Sequence, residues 1–409
     1  CAKKLFANAD IIYPQFATHN ALTAALVREM ASDVTEYELQ RLHGMGEALH
    51  DSLIKTGLKS RIYAPVGGYR ELLPYLVRRL LENGANSSFV NQLFDPETSI
   101  DDIVADPVQD AKALNVIPNT AIPAPRDLFN GTRLLAEGWD ESDPDTAEQL
   151  QLAVGQALES RRAYGPIIDG VTPKGAPTPS TNPSHRGETI GIVDFADASQ
   201  VGLACSAAAA AQPAWARMTS DERGAILTRA ANLLEERAEQ FMQLATREAG
   251  KTIPDAIAEI REAVDFLRYY ANEARALGGE RLGVVACISP WNFPLAIFLG
   301  QVSAALAAGN AVIAKPAEQT PIIAHEAVKL LHEAGVPTGA LHYLPGDGPS
   351  VGGPLVEHPL VKGVVFTGST EVAKTINRTL VRSGKFDAAL IAETGGINAM
   401  IVDSTALLE

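Results

Sequence analysis

The chain has 409 residues, too many for one ordinary core, so two or three domains are expected. Its 34 basic against 49 acidic residues leave a net charge of −15, which argues against nucleic acid or an anionic membrane surface as the main partner. Three cysteines, Cys1, Cys205 and Cys287, stand far apart with no CxxC spacing, so a reducing cytoplasm is expected, with no disulfide framework and no structural metal.

The first residues carry no basic and apolar leader pattern. From Asp10 to about Phe94, strand-like pieces alternate with helical ones: DIIYPQFAT, ALTAALVREMA, YELQRLHGMG, SRIYAPVG and ELLPYLVRRLLENG. The strands end in polar residues, first Thr18, His19 and Asn20, then Gln40 and Arg41, then Tyr63. Parallel α/β folds place their chemistry at such ends. In the last helix Leu72, Leu73, Leu76, Val77, Leu80 and Leu81 form the expected core stripe. Arg78, Arg79 and Glu82 share its other side, and they read either as a solvated face or as a bidentate clamp for a carboxylate.

Between about Asp95 and Arg186 the composition turns to Pro, Asp, Thr and Ser, as in GVTPKGAPTPSTNPSHRG. This reads as a linker with one helix, DTAEQLQLAVGQALESRRA. A strand pair around GETIGIVDFAD follows, then a helical stretch from Ala196 to Leu277. The run from Gly283 to Ala314 has no Asp, Glu, Lys, Arg or His, yet Pro290, Asn292, Pro294, Gln301 and Asn310 interrupt it, so it reads as buried strand, turn, helix and strand. Beyond it VVACIS, AVIAK, LHYLPG, VKGVVFTG and AALIAE alternate with helices. Strands apolar on both faces require helices on both sides, which predicts a doubly wound nucleotide-binding sheet.

Strand GVVFTG runs into helix STEVAKTI, so Gly368 and Ser369 stand at a helix N-terminus, where unpaired backbone N–H groups favour a pyrophosphate. The same pattern fits a serine cap after a turn glycine. Neither GxGxxG nor a Walker A sequence occurs. AVIAK ends in KPAEQTP, which puts Lys315 and Glu318 three residues apart at another strand end. A carboxylate there accepts from both ribose hydroxyls and repels a 2′-phosphate, favouring NAD over NADP; alternatively the two form a solvated ion pair.

PWNFP, KPAEQTP, GDGPSVGG, FTGSTEVA and ETGG, in this order from Gly187 to Glu409, resemble the aldehyde dehydrogenase superfamily. The resemblance implies an NAD site of Ile288, Lys315, Glu318, Gly348, Gly352, Gly368 and Ser369, with Asn292 and Glu393 facing the aldehyde. In that family a cysteine thiolate attacks the aldehyde, hydride passes to the nicotinamide, and water hydrolyses the thioester. An asparagine N–H stabilises the oxyanion and a glutamate activates the water. The family's cysteine lies downstream of the ETGG glutamate, and no cysteine follows Cys287 in this sequence. Cys287 itself reads as a core thiol, so the expectation is that the segment as given lacks activity.

YPQFATHN, YELQRLHGMGE, RIYAPVG and YLVRRLLENGAN look like the C-terminal part of a proline dehydrogenase barrel, over residues 1–94. Carried over, this implies FAD contacts at Thr18, His19, Asn20 and Gln40, with Tyr63 beside proline and Leu42 lining its pocket. Arg78 and Arg79 would hold the proline carboxylate, and Glu82 would position an arginine. The expected architecture is the end of a (βα)8 barrel over 1–94, a linker with connecting helices over 95–186, and the Rossmann-like NAD-binding part of an aldehyde dehydrogenase over 187–409. Together the two resemblances are those of the bifunctional bacterial proline utilisation A family. They imply oxidation of proline and then of glutamate semialdehyde, with FAD and NAD as cofactors, electron transfer to membrane quinone through a peripheral contact, and a homo-oligomer. The competing reading is a non-catalytic nucleotide-binding or scaffold protein that lacks the nucleophile.

Overall fold

The computed structural model describes residues 1–34, 36–84, 92, 95–116, 119, 121–129, 131–156, 163–396, 399–400 and 403, without the side chains of 82–84 and 163. It divides into two compact units, Cys1–Ala121 and Ile122–Glu409.

In the first unit β1 (Gln15–Ala17), β2 (Glu38–Leu42) and β3 (Ser60–Tyr63) form a parallel sheet in that order. Parallel pairing needs crossovers, and the helices Ala21–Ala31 and Glu47–Lys55 supply them. The second of these was not read from the sequence. Its N-terminus follows Gly46, whose φ of 66° suits a residue without Cβ. A small core of Phe6, Ala24, Val27, Ala31, Tyr37 and Leu39 lies beneath, with the Phe6 and Tyr37 rings edge to face at 5.3 Å.

The helix Tyr69–Gly84 forms as expected, but its stripe does not enter a core. Leu73, Leu76, Val77, Leu80 and Leu81 are exposed, and only Leu72 is partly covered. The periodicity made the helix amphipathic; among the described residues no element of this unit packs on that face.

The second unit is built on a five-stranded parallel sheet of order β11-β10-β7-β8-β9, from β7 (Val284–Ile288), β8 (Ala311–Lys315), β9 (Leu341–Tyr343), β10 (Val361–Thr367) and β11 (Ala389–Glu393). Both faces are covered, as the sequence required. Val285, Cys287, Val312 and Ala314 point to one core, and Val284, Ala286, Ile288, Ala311 and Ile313 to the other, the two-residue period of a strand. The first core holds the helices Ala296–Ala307 and Pro321–Glu333 with most of the bundle Ser220–Glu236, Ala238–Ala249 and Ile253–Glu273. The second holds Thr370–Arg382 and much of Ala198–Arg217.

Part of the segment expected as a linker belongs to this unit. The expected helix forms over Pro144–Gly155 and buries Leu150 and Val154 in the first core. The Pro-rich stretch is β5 (Ala176–Thr181), antiparallel to β6 (Thr189–Phe195), with the short parallel strand β4 (Ala163–Tyr164) on β6's other side. β5 is an edge strand, the place in a sheet where Pro177 and Pro179 cost no ladder bond.

Candidate functional site

The chain order of the sheet reverses beside β7: β8 and β9 extend one way, β10 and β11 the other. Open α/β sheets bind ligands outside the carboxyl ends of the strands at such a switch point. A cleft of about 930 Å³ lies there. It is lined by all nine residues expected in the second half: Ile288, Asn292, Lys315, Glu318, Gly348, Gly352, Gly368, Ser369 and Glu393.

Each is placed by an element end. Asn292 is exposed in the turn after β7, between exposed Trp291 and Phe293. Gly368 and Ser369 end β10 and begin the helix Thr370–Arg382; Ser369 Oγ accepts from Val372 N at 3.2 Å, a true N-cap. Gly368 N donates to the Glu393 carbonyl at 3.0 Å, which ties the two neighbouring strand ends. A Cβ on Gly368 would lie 2.6 Å from the Phe366 ring, so any larger residue would push that ring aside. Glu393 is exposed at the end of β11.

Lys315 ends β8 with its side chain 5% exposed; Nζ donates to the Pro316 carbonyl at 2.9 Å and lies 4.0 Å from the half-exposed Glu318 carboxylate. Burial holds this ammonium below the usual lysine range, while Glu318 and Asp347 pull it back up. Gly348 and Gly352 bound one short turn, capped by Asp347, whose carboxylate accepts from Ser350 N at 2.7 Å. The cleft thus offers a helix start and a glycine turn, a carboxylate and an ammonium, and an amide together with a second carboxylate. That set suits a dinucleotide with a reacting carbonyl beyond it.

Sequence reasoning missed several groups. Thr367, Gln319 and Val372 also line the cleft. Buried Gln301 donates to Thr367 Oγ1 at 2.9 Å and to the Ile288 carbonyl at 3.3 Å, bridging the ends of β10 and β7. A glutamine inside a charge-free run was the available signal. Cys287 is buried on the sheet face away from the Ile288 side, and burial pushes its thiol far up; Cys205 is likewise buried, at about 12.

In the first unit the parallel strands put Thr18, Leu42 and Tyr63 at one edge of the sheet. Asn20 caps the helix Ala21–Ala31 by accepting from Thr23 N at 3.1 Å, and its own N–H donates to Thr18 Oγ1 at 3.1 Å. Gln40 is mid-strand and donates to Glu38 Oε1 at 2.8 Å. Leu42 is buried. His50, fully buried, meets Ser60 Oγ at 2.7 Å and the Thr18 carbonyl at 3.0 Å. A carbonyl only accepts, so Nε2 carries the proton. Burial, then the His50 and Arg41 charges, depress the basicity of His19. Arg78 is exposed, and the half-buried Arg79 guanidinium stands 5.5 Å from the Tyr75 ring. The Glu82 side chain lies outside the described residues.

Among the described residues no cluster of His, Cys, Asp and Glu could hold a metal, and no helix is long and apolar enough to cross a membrane. The proline dehydrogenase profile matches residues 1–92 and the aldehyde dehydrogenase family profile residues 171–409. The bifunctional protein PutA of Salmonella typhimurium is 47% identical over 433 aligned residues, which take in 100% of this chain and 33% of that protein. A 1-pyrroline-5-carboxylate dehydrogenase of Geobacillus thermodenitrificans is 38% identical, over 67% of this chain and 57% of that protein. A crystal structure of a proline utilization A variant from Bradyrhizobium japonicum superposes with a TM-score of 0.75 at 46% identity, over 99% of this chain and 40% of that one. The chain thus spans about a third of the length of the bifunctional PutA proteins it matches. It belongs to the aldehyde dehydrogenase family over residues 171–409, and the proline dehydrogenase match ahead of that region makes it a member of the bifunctional PutA group.

Proposed function

We propose that this chain carries parts of the two sites that oxidise proline to glutamate: a flavin-dependent proline dehydrogenase within residues 1–94, and an NAD-dependent glutamate semialdehyde dehydrogenase within 187–409. The observation that carries the second half is the convergence of nine residues, from five separate loops, on one cleft at the switch point of the sheet.

NAD, when bound, supplies the hydride acceptor. The helix start would take the pyrophosphate on its leading backbone N–H groups from Ser369 onward, the Gly368 N–H being held by the Glu393 carbonyl and the Val372 N–H by Ser369 Oγ. Glu318 would accept the ribose hydroxyls, and Lys315 would supply a buried cation beside it. Asn292 donates its side-chain N–H to the aldehyde oxygen as negative charge develops there, and Glu393 takes a proton from the attacking water. Burial keeps Cys287 and Cys205 as neutral thiols, so neither is the nucleophile, and the exposed Cys1 belongs to the first unit; the resemblance places the family's cysteine downstream of the ETGG glutamate.

FAD, when bound, takes the electrons of proline. Thr18, His19 and Asn20 after β1 and Gln40 within β2 would contact it, Tyr63, Leu42, Arg78 and Arg79 would receive proline, and Glu82 would position an arginine. Support for this half is the parallel register that sets three strand ends side by side. A cytoplasmic setting enters from the sparse, separated cysteines, and electron transfer to membrane quinone and homo-oligomeric assembly from the family resemblance.

Calorimetric titration of the chain tests the NAD half. NAD binds, NADP binds about tenfold more weakly because its 2′-phosphate meets Glu318, and Glu318→Gln narrows that gap. No NAD binding, or equal affinities in the unsubstituted chain, would overturn the assignment.

A further inference from the structure

The loop that carries Asn292 ends at the helix Ala296–Ala307, whose first amides have no partner within the helix. A buried side chain from far away meets them. Glu259 Oε2 accepts from Leu295 N at 3.2 Å and from Ala296 N at 2.9 Å. Its other oxygen lies 3.2 Å from Lys251 Nζ, with the glutamate side chain 0% and the lysine side chain 15% exposed. The same ammonium stands 4.2 Å from the centroid of the Phe293 ring, the residue next to Asn292.

Capping the helix requires only an acceptor, and a neutral one suffices. The lysine makes no bond to those amides; it pairs with the carboxylate's other oxygen and reaches across to Phe293 in the loop. Removing the carboxylate charge from water is offset here by two N–H donors, the positive end of the helix and the ammonium. Glu262, one turn further along the same helix, is the other carboxyl in this neighbourhood: burial and the Glu259 charge push it up, and Lys251 pulls it down.

We propose that Lys251 and Glu259 act together as positioning residues for Asn292. They grip the loop at Phe293 and at Leu295–Ala296, and so fix where the asparagine amide meets the aldehyde oxygen, without touching substrate or cofactor themselves. This rests on the aldehyde-oxidising reading of the cleft.

Two variants dissect the pair. Glu259→Gln keeps an acceptor for the amides but turns an NH₂ toward Lys251. Lys251→Met keeps an apolar stem against Phe293 and removes the charge. In a polypeptide that continues through the family's nucleophilic cysteine, each lowers kcat for aldehyde oxidation about tenfold while KM for NAD stays within about twofold, and the double variant loses no more than the worse single one. In the chain itself, hydrogen exchange of the amides of residues 291–296 speeds up in both variants while the rest of the second unit keeps its rates, a pattern that general loss of stability does not produce. If Glu259→Gln fails to fold, Lys251→Met decides alone by the same kcat criterion. Active wild-type protein with variants at wild-type kcat overturns the inference, as do additive losses in the double variant. A wild-type polypeptide that binds NAD but oxidises no aldehyde overturns the functional reading, and the inference with it.

Discussion

Glu248 shows how one buried carboxyl links pH to the fold. Its Oε1 accepts from Ile322 N at 2.8 Å and Ser180 Oγ at 2.9 Å, and its Oε2 from Ile323 N at 2.8 Å. These donors favour the charged form, but burial outweighs them and pushes the carboxyl from 4.5 up to about 7. Between those values the folded protein binds more protons than the unfolded chain, so stability falls as pH rises through the window and levels off above it. That difference corresponds to roughly 3 kcal/mol in all. In Glu248→Gln this decline disappears; denaturant titrations near pH 5 and near pH 8 measure it, and an undiminished decline in the variant counts against the account. Glu38 predicts the opposite sign. Hydrogen bonds from Arg61, at 2.6 and 2.8 Å, and then from Gln40 hold it down to about 2. Its stabilising effect is present above about 4.5 and is lost as pH falls toward 2, so Glu38→Gln makes the first unit less sensitive to acid, read by hydrogen exchange at the β2 amides.

The helix Tyr69–Gly84 carries a row of leucines that water reaches, Leu73 at 58% and Leu80 at 65% exposure. A contiguous apolar face of this kind collects apolar dyes and partner surfaces. Leu73→Glu with Leu80→Glu therefore lowers dye fluorescence of the chain by roughly half while its thermal midpoint stays put. A fall in the midpoint would mean that the face is packed after all. Two of the helices flanking the sheet are held differently, each by a buried glutamate at its start and an arginine at its finish. Ala296–Ala307 has Glu259 at its start and Arg223, donating to the Ala307 carbonyl at 3.0 Å, at its finish. Pro321–Glu333 has Glu248 at its start and Arg229, donating to the Ala334 carbonyl at 3.0 Å, just past its finish. Both arrangements match the sign of the helix dipole.

At the scale of the whole molecule, what could be read from the sequence was what is local in it. Apolar runs broken by glycine turns gave β7 to β11, and glycines, prolines and isolated polar residues at their ends gave the cleft. β5 went unread because an edge strand tolerates prolines that otherwise signal a connector. The leucine stripe of Tyr69–Gly84 was rightly seen as amphipathic, but its burial depends on cover that periodicity does not encode. Glu248 and Glu259 went unnoticed because the amides they meet lie 74 and 36 residues further along. No window on the sequence spans such a pair.

Those long-range caps have a kinetic corollary. The leading amides of a helix ordinarily trade their protons with solvent first, because a small fraying motion exposes them. At Leu295, Ala296, Ile322 and Ile323 the acceptor is a carboxylate anchored in another helix, so fraying alone releases nothing. In deuterium these four positions should rank among the slowest in the second unit, opening only when the bundle leaves the sheet. The memory of the chain's folded state would then persist longest beside the very turns that hold its chemistry.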